Sequence, residues 1–485
     1  MEERAKLQKT LKPHWVWAVA FGSAIGWGCF VQPGSWMGTA GPLGAIIGLS
    51  IGALFMIVIG LSYGTLVKHF PVSGGEFAYA YASLGRTHAY ICGWFLALGY
   101  LSIVALNASA LALMVKYIFP GVVQHLFLYN VAGWHVYFIE ILIASAALIV
   151  FGWLNIRGGG LSGLSQFIFC IILVIGVLLL GISLIVSPET SFHNLTPVFK
   201  PGTTALSGII AMVAIAPWAF VGFDSIPQVA EEFNFAPGKA LKLIIMALIA
   251  AGLVYSLMIF ATAVAAPWQS LSGANTIWGT GDGVRSVLGN VGLLILAVAL
   301  CMGIFTGLNG FIVSTSRLLF AMGRAQILPK AFAKLHPKYH TPYIGIIFTC
   351  AMCLIAPWFG RNALNWIVNM SSTGVTIAYF YCCFDAYKFF RWSENGKGTA
   401  LVAPVKKAFS LLGAILSLVF LGLLLIPGSP AFLDTPAWIA LGIWILLGAL
   451  FYAVKGKEYR RIPKAQMDYL ILGVEQPSND DDRAS

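Results

Sequence analysis

The sequence predicts an all-α integral membrane protein with twelve transmembrane helices, and three observations lead there. Of its 485 residues, 59% are hydrophobic and 10% charged, with a mean hydropathy of +0.85, a balance foreign to soluble domains. The apolar residues fall into twelve runs between charged or Pro/Gly-rich breaks; at roughly 20 residues per crossing of a ~30 Å hydrocarbon core, the composition admits at most about fourteen. Lysine and arginine then sort onto alternate connections, with 25 on one set and four (Lys116, Lys200, Arg285, Arg361) on the other. Positive residues in short loops stay inside, so both termini are expected in the cytoplasm, which fits an even number of helices.

In chain order the runs cover 15–38, 43–67, 89–118, 135–154, 162–187, 206–231, 241–267, 287–321, 342–359, 363–387, 404–426 and 436–454. The first follows twelve residues rich in charge and continues without a small-residue cleavage site, so it reads as a helix rather than a signal peptide. The longest gaps hold about 20 residues, too few for a soluble domain of ordinary size, so function is expected within the bundle. The expected organisation is a cytoplasmic tail over 1–14, a first five-helix repeat over 15–200 and a second over 201–390. Two further helices over 391–457 and a cytoplasmic tail over 458–485 complete it.

Composition also excludes classes of function. The formal charge of +11 suggests a nucleic-acid partner only if it forms a basic face. Split by side it is +12 inside and zero outside, and Asp224 in the core supplies the remaining −1. It records topology and contact with anionic lipid, with no nucleic acid implied. The eight cysteines lie in apolar segments and the eight histidines at helix ends or in loops, so neither a metal centre nor a disulfide framework is expected. A channel would show a repeated filter or charged ring, and an enzyme a clustered catalytic set; the sequence has neither.

Two runs carry helix breakers at mid-length. The first contains Gly22-Ser23-Ala24-Ile25-Gly26-Trp27-Gly28, and each glycine costs about 1 kcal/mol relative to alanine in a helix. The sixth contains Ala216-Pro217-Trp218-Ala219-Phe220-Val221-Gly222-Phe223-Asp224-Ser225-Ile226-Pro227, where proline removes a donor and clashes with the preceding turn. By contrast Gly44, Gly48 and Gly52 have the spacing of close helix packing. Broken helices at equivalent places in two five-helix halves of opposite orientation point to inverted repeats with a site at the break. Free N–H groups at a half-helix N-terminus bind carboxylate, and free carbonyls at a half-helix C-terminus bind ammonium.

These motifs resemble the amino acid–polyamine–organocation superfamily of permeases. The resemblance rests on Gly22 through Phe30, on Pro71-Val72-Ser73-Gly74-Gly75-Glu76, on Gly222-Phe223-Asp224 with Glu231-Glu232, and on Ser316 through Arg324 leading to Leu328-Pro329. It covers about residues 14–390 and implies a secondary transporter working by alternating access in the plasma membrane. It places a substrate carboxylate on the N–H groups of Trp27 and Gly28, and an amine on carbonyls of Ala24, Trp218 and Val221. Ile25, Gly26 and Phe220 complete the two breaks. Asn107 and Phe311 are implied to face the substrate side chain, and Trp218 to be a gating aromatic. Trp27 departs from the small residue that relatives often carry there, so a small neutral amino acid is the expected substrate. An amine, polyamine or ethanolamine-like substrate, an exchanger, and a substrate-sensing receptor on the same scaffold are the alternatives.

Asp224 has two readings: a proton carrier or ammonium partner, as intramembrane ionisable groups tend to be, or a cap that stabilises the break. The resemblance implies a lysine in span 5 for some proton-coupled relatives, but Leu173 stands near that position. Ser314 and Thr315, with Ser316, offer hydroxyls for a hard cation, although such hydroxyls more often bond their own backbone. No cofactor is expected beyond H+ or Na+ as coupling ion, and oligomeric state is not encoded in any of these features.

Overall fold

A computed structural model describes residues 4–131, 134–272, 278–360, 362–394 and 403–474. Part of the tail expected over 458–485, and the connection preceding span 11, fall outside them. The described residues are predominantly helical. Among the described residues, ten helices are long and apolar enough to cross a membrane, and two shorter apolar helices, Ala205–Ala214 and Tyr343–Phe359, lie where spans 6 and 9 were expected. Two strands, Phe127–Val131 and Trp134–Tyr137, pair antiparallel in a small hairpin. Span 4 was expected from residue 135, but its helix begins at Phe138, because residues up to Tyr137 are paired in that hairpin.

Span 1 is interrupted as expected, but over a shorter stretch. The helix Pro13–Ile25 ends at Gly26 (φ +50°), and a new helix begins at Gly28. Gly22 remains helical. An added Cβ there would lie 2.7 Å from Cys170 Sγ and from Thr306 Cβ, so this glycine serves close packing. A second backbone turn at Gly41 (φ +75°), just before Pro42, separates the end of span 1 from span 2 within Pro33–His69.

Span 6 is broken more severely. The helix Ala205–Ala214 and the single turn Ala216–Ala219 give way to non-helical backbone through Phe220–Asp224, with Gly222 at φ +132°, before the turn Ser225–Gln228. Pro217 stands at the start of the first of these turns and Pro227 is the third residue of the second, both within the first turn of a helix, where a missing N–H costs least.

The bundle is layered around these breaks. The hydrophobic window of Arg86–Ile118 is 89% buried and that of Thr435–Arg461 only 17%, so span 3 is central and the last long helix peripheral. Ile439, Ile443, Leu446, Leu447, Leu450 and Val454 of that last helix are exposed, an apolar face suited to lipid. Pro13–Ile25 packs against Gly159–Val186, Ala240–Ala265 and Gly279–Arg324.

Both chain ends meet on one face, referred to below as the terminal face: Arg4 Nε donates to Leu470 O at 3.3 Å. Two further helices form this face, Gly75–Leu84 and Lys464–Leu472. The second falls within the region expected to be only a tail. Met467, Leu470 and Ile471 are buried, so their apolar contacts hold it against the bundle.

Candidate functional site

The two breaks are in direct contact. A Cβ on Gly222 would lie 2.5 Å from Ala24 N and 2.7 Å from Ser23 C, so the span 6 backbone is pressed against the last turn of span 1. Span 8 makes room on the other side with small residues. Gly303 faces the carbonyl of Gly26, Gly307 faces the Asn107 side chain and Gly310 faces Ser23 Oγ, with Cβ positions 2.0–2.8 Å from those atoms. Their spacing along Gly279–Arg324 puts the three glycines on one helix face. That pattern was present in the sequence and points to a closely approached backbone.

At the span 1 break, the N–H groups of Trp27 and Gly28 have no hydrogen-bond acceptor among the described residues. These are the groups implied to hold a carboxylate. Trp218 stands over them. Its ring meets Trp27 edge to face with centroids 6.0 Å apart, and a Cβ on Gly28 would be 2.8 Å from its Cη2. Ala24, Ile25, Trp27, Gly28, Asn107, Trp218, Phe220, Val221 and Phe311 are all buried, with Gly26 half-buried, so the junction lies inside the bundle. Asn107 Nδ2 donates to Ile103 O at 2.9 Å, which leaves Oδ1 buried and unpartnered beside the break. The Trp27 indole N–H is likewise buried without a partner.

The structure adds a residue that sequence reasoning missed. The Tyr255 hydroxyl, from Ala240–Ala265, lies 2.8 Å from Ala24 O, 3.2 Å from Ile25 O and 2.8 Å from Ala219 O. One hydroxyl has one proton to donate, so it satisfies one carbonyl at a time while holding both broken helices together. Phe220 packs edge to face on the same ring at 5.5 Å. A tyrosine in an apolar helix reads as core, and no local pattern distinguishes this one.

Phe311 contacts Tyr100 at 5.5 Å, and the Tyr100 hydroxyl donates to Asp224 Oδ2 at 2.9 Å. Asp224 Oδ1 accepts from Gly222 N–H at 2.7 Å. The carboxylate therefore does stabilise the break, but it reaches back to Gly222 rather than forward to the N–H groups of the inner half-helix. Ser314 and Thr315 donate to their own helix, at Gly310 O (2.9 Å) and Phe311 O (2.6 Å), as hydroxyls in helices commonly do.

Ion pairs close the terminal face. Arg317 makes a two-pronged contact with Glu232, at 2.8 and 3.2 Å, where both side chains are buried. Glu231 accepts from Arg324 at 3.0 Å and Arg4 at 3.2 Å, and from Ser73 N–H at 3.2 Å. Burial pushes the Glu231 carboxyl up, but Arg324 and then Arg4 outweigh it and hold it below the usual carboxylate range. The backbone joins in: Leu11 N–H donates to Glu232 O and Asn234 N–H to Leu11 O. The N-terminal segment thereby closes over the ends of spans 6 and 8.

Two discontinuous apolar helices crossing in the centre of a polytopic bundle, with unpaired backbone donors in one break, define a membrane transporter rather than an enzyme. Comparison with known sequences agrees. The model of the amino acid permease family matches residues 15–450, and the chain belongs to that family, within the amino acid–polyamine–organocation superfamily. Among relatives, it is 25% identical to the methylthioribose transporter of Bacillus subtilis (strain 168), over 94% of this chain and 95% of that protein. It is 26% identical to the branched-chain amino acid permease BcaP of the same organism, over 92% of each. It is 25% identical to the L-asparagine permease of Escherichia coli (strain K12), over 75% of this chain and 72% of that protein.

Proposed function

We propose that this permease carries a small neutral amino acid across the plasma membrane by alternating access, with both termini cytoplasmic. The observation that carries the reading is the pair of free N–H groups at Trp27 and Gly28, at the positive end of a half-helix, where a carboxylate replaces the missing acceptor. The substrate ammonium faces the carbonyl ends of the opposing half-helices around Ala24, Trp218 and Val221, with Asn107 Oδ1 as a further acceptor. The Trp27 and Trp218 rings cover the donors at 6.0 Å from each other. That leaves little room for a side chain, which favours a small one. Opening requires Trp218 to swing off Gly28, so Trp218 acts as the gate.

The test is a thermal-shift screen of the purified protein against the twenty proteinogenic L-amino acids, ethanolamine, putrescine and methylthioribose, because ligands that prefer the folded state stabilise it. Uptake of the stabilising compounds into proteoliposomes follows. Stabilisation and uptake of alanine, serine or another small neutral amino acid support the reading. Stabilisation by amines or methylthioribose alone overturns the substrate class, and binding without flux makes the protein a sensor.

A further inference from the structure

The sequence counts Glu76 among ordinary cytoplasmic charges, but the structure buries it completely. It sits in the first turn of Gly75–Leu84, with 0% of its surface exposed. Gly74 and Gly75, both at positive φ, let this turn wedge between the end of span 8 and the inner half of span 6. A Cβ on Gly74 would lie 2.4 Å from Ala321 Cβ, and one on Gly75 would lie 2.9 Å from Pro227 Cβ. Gln228 Nε2 donates to Glu76 Oε2 at 2.5 Å, and Oε1 has no partner.

Among the described residues, no cation faces this carboxyl. The titratable groups around it are Tyr63 of span 2, Tyr79 of its own helix, Cys92 and Tyr100 of span 3, Asp224 of span 6, and Tyr379 and Cys382 of span 10. The neighbouring helices Gly279–Arg324 and Lys464–Leu472 also contact this element, but Arg317 and Arg324 of the former are engaged by Glu232 and Glu231, and Asp468 of the latter accepts from Tyr81. Burial, and then the negative field of Asp224, push Glu76 well above its usual value. A carboxylate buried without a cation beside it is strongly disfavoured, so the group is neutral in the shut state seen here. The surroundings are polar but underused: the Tyr63 hydroxyl reaches toward Glu76 and favours its charged form, while the hydroxyls of Tyr379 and Ser225 and Gln228 Oε1 are buried without partners. They occupy the region between Glu76 and Asp224, whose own oxygens are taken by Gly222 and Tyr100.

We propose that Glu76 holds the proton that is coupled to transport, on the closed terminal face, and releases it when the helix Gly75–Leu84 parts from the inner half of span 6. This rests on the permease reading above. Uptake forms the O–H bond of the neutral acid with a proton from hydronium on the opposite side, and release breaks it by returning the proton to terminal-side water; no other bond changes, and one proton moves with each substrate molecule. Opening breaks the Gln228 contact and hydrates the carboxyl. On closing, the hydroxyls of Tyr63, Tyr379 and Ser225 donate to the returning carboxylate, and its next proton arrives from the opposite side, so that release and uptake face different waters. Asp224 is then a positioning residue for the break.

The experiment uses full-length protein in proteoliposomes with an equimolar mixture of the twenty labelled L-amino acids, an internal pH-sensitive dye, and an imposed gradient of about one pH unit. One proton per substrate molecule yields about tenfold accumulation from that gradient. Wild type is expected to reach it with internal acidification. Glu76→Gln is expected to show neither while keeping counterflow exchange, which needs no net proton, within about threefold. Glu76→Asp, which keeps an ionisable group, is expected to restore acidification. Retained proton-driven accumulation in Glu76→Gln overturns the proposal, as does loss of counterflow with no rescue by Glu76→Asp. Wild-type amino acid transport without acidification overturns the proton site and leaves the permease reading intact; absence of any amino acid flux in wild type is failure of that reading itself.

Discussion

Gly222→Ala tests the contact between the two broken helices. The residue is at φ +132°, where a side chain costs about 1–3 kcal/mol in backbone strain. The new methyl would also sit 2.5 Å from Ala24 N and 2.7 Å from Ser23 C. These are backbone atoms of the last turn of Pro13–Ile25, which leads into the span 1 break, and they cannot rotate away. Forcing them apart adds about 1–3 kcal/mol of overpacking, for a total of about 2–6 kcal/mol, where 1.4 kcal/mol is a factor of ten. Gly28→Ala is the internal control. Its methyl meets Cη2 of Trp218 at 2.8 Å, the tip of a side chain that can swing aside. Thermal unfolding of the two purified variants, followed by amino acid uptake in proteoliposomes, is the assay. Gly222→Ala should unfold well below wild type and lose uptake, while Gly28→Ala should unfold near wild type with reduced uptake. A Gly222→Ala protein with wild-type stability and uptake refutes the contact, as does a Gly28→Ala protein that is the less stable of the two.

Trp27→Ala should extend the transported range to larger side chains, measured by uptake of labelled alanine, leucine and phenylalanine; an unchanged size profile removes the assigned role of the indole. Glu231→Gln should destabilise the protein at neutral pH, because Arg324 and Arg4 lose a charged partner. Since the folded-state value of Glu231 is lowered, its contribution is fully present above the ordinary carboxyl value of 4.5 and is lost as pH falls below it. Melting curves of wild type and variant should therefore differ at neutral pH and draw together as pH falls through the lowered folded-state value, and a gap that does not shrink with falling pH contradicts the ion pairs.

The breaks were legible in the sequence because glycine and proline act locally: Gly26, Gly222, Pro217 and Pro227 interrupt apolar runs, and the backbone turns where they stand. The length of each break was not legible, since Gly22 and Gly26 look alike until the partner helix is known. Gly22 packs against Cys170 and Thr306, while Gly26 turns. Tyr255 and Glu76 were hidden for the opposite reason. Tyr255 lies in an unremarkable apolar helix, and only the crossing of spans 1 and 6 brings carbonyls of both helices to its hydroxyl. Glu76 follows Pro71 in what reads as a connecting loop, and only the return of that loop beneath Gln228 buries it. Ser314 and Thr315 show the limit of residue type: their chemistry suits a cation, but each is turned onto the carbonyl four residues before it.

The junction at Trp27 and Gly28 is the proposed place where substrate is held. The most direct measurement is an experimental structure with the amino acid that gives the largest thermal shift. The predicted result is its carboxylate within hydrogen-bond distance of the Trp27 and Gly28 N–H groups, with Trp218 closed over it. A substrate bound elsewhere in the bundle, with those N–H groups still unpaired, would contradict it.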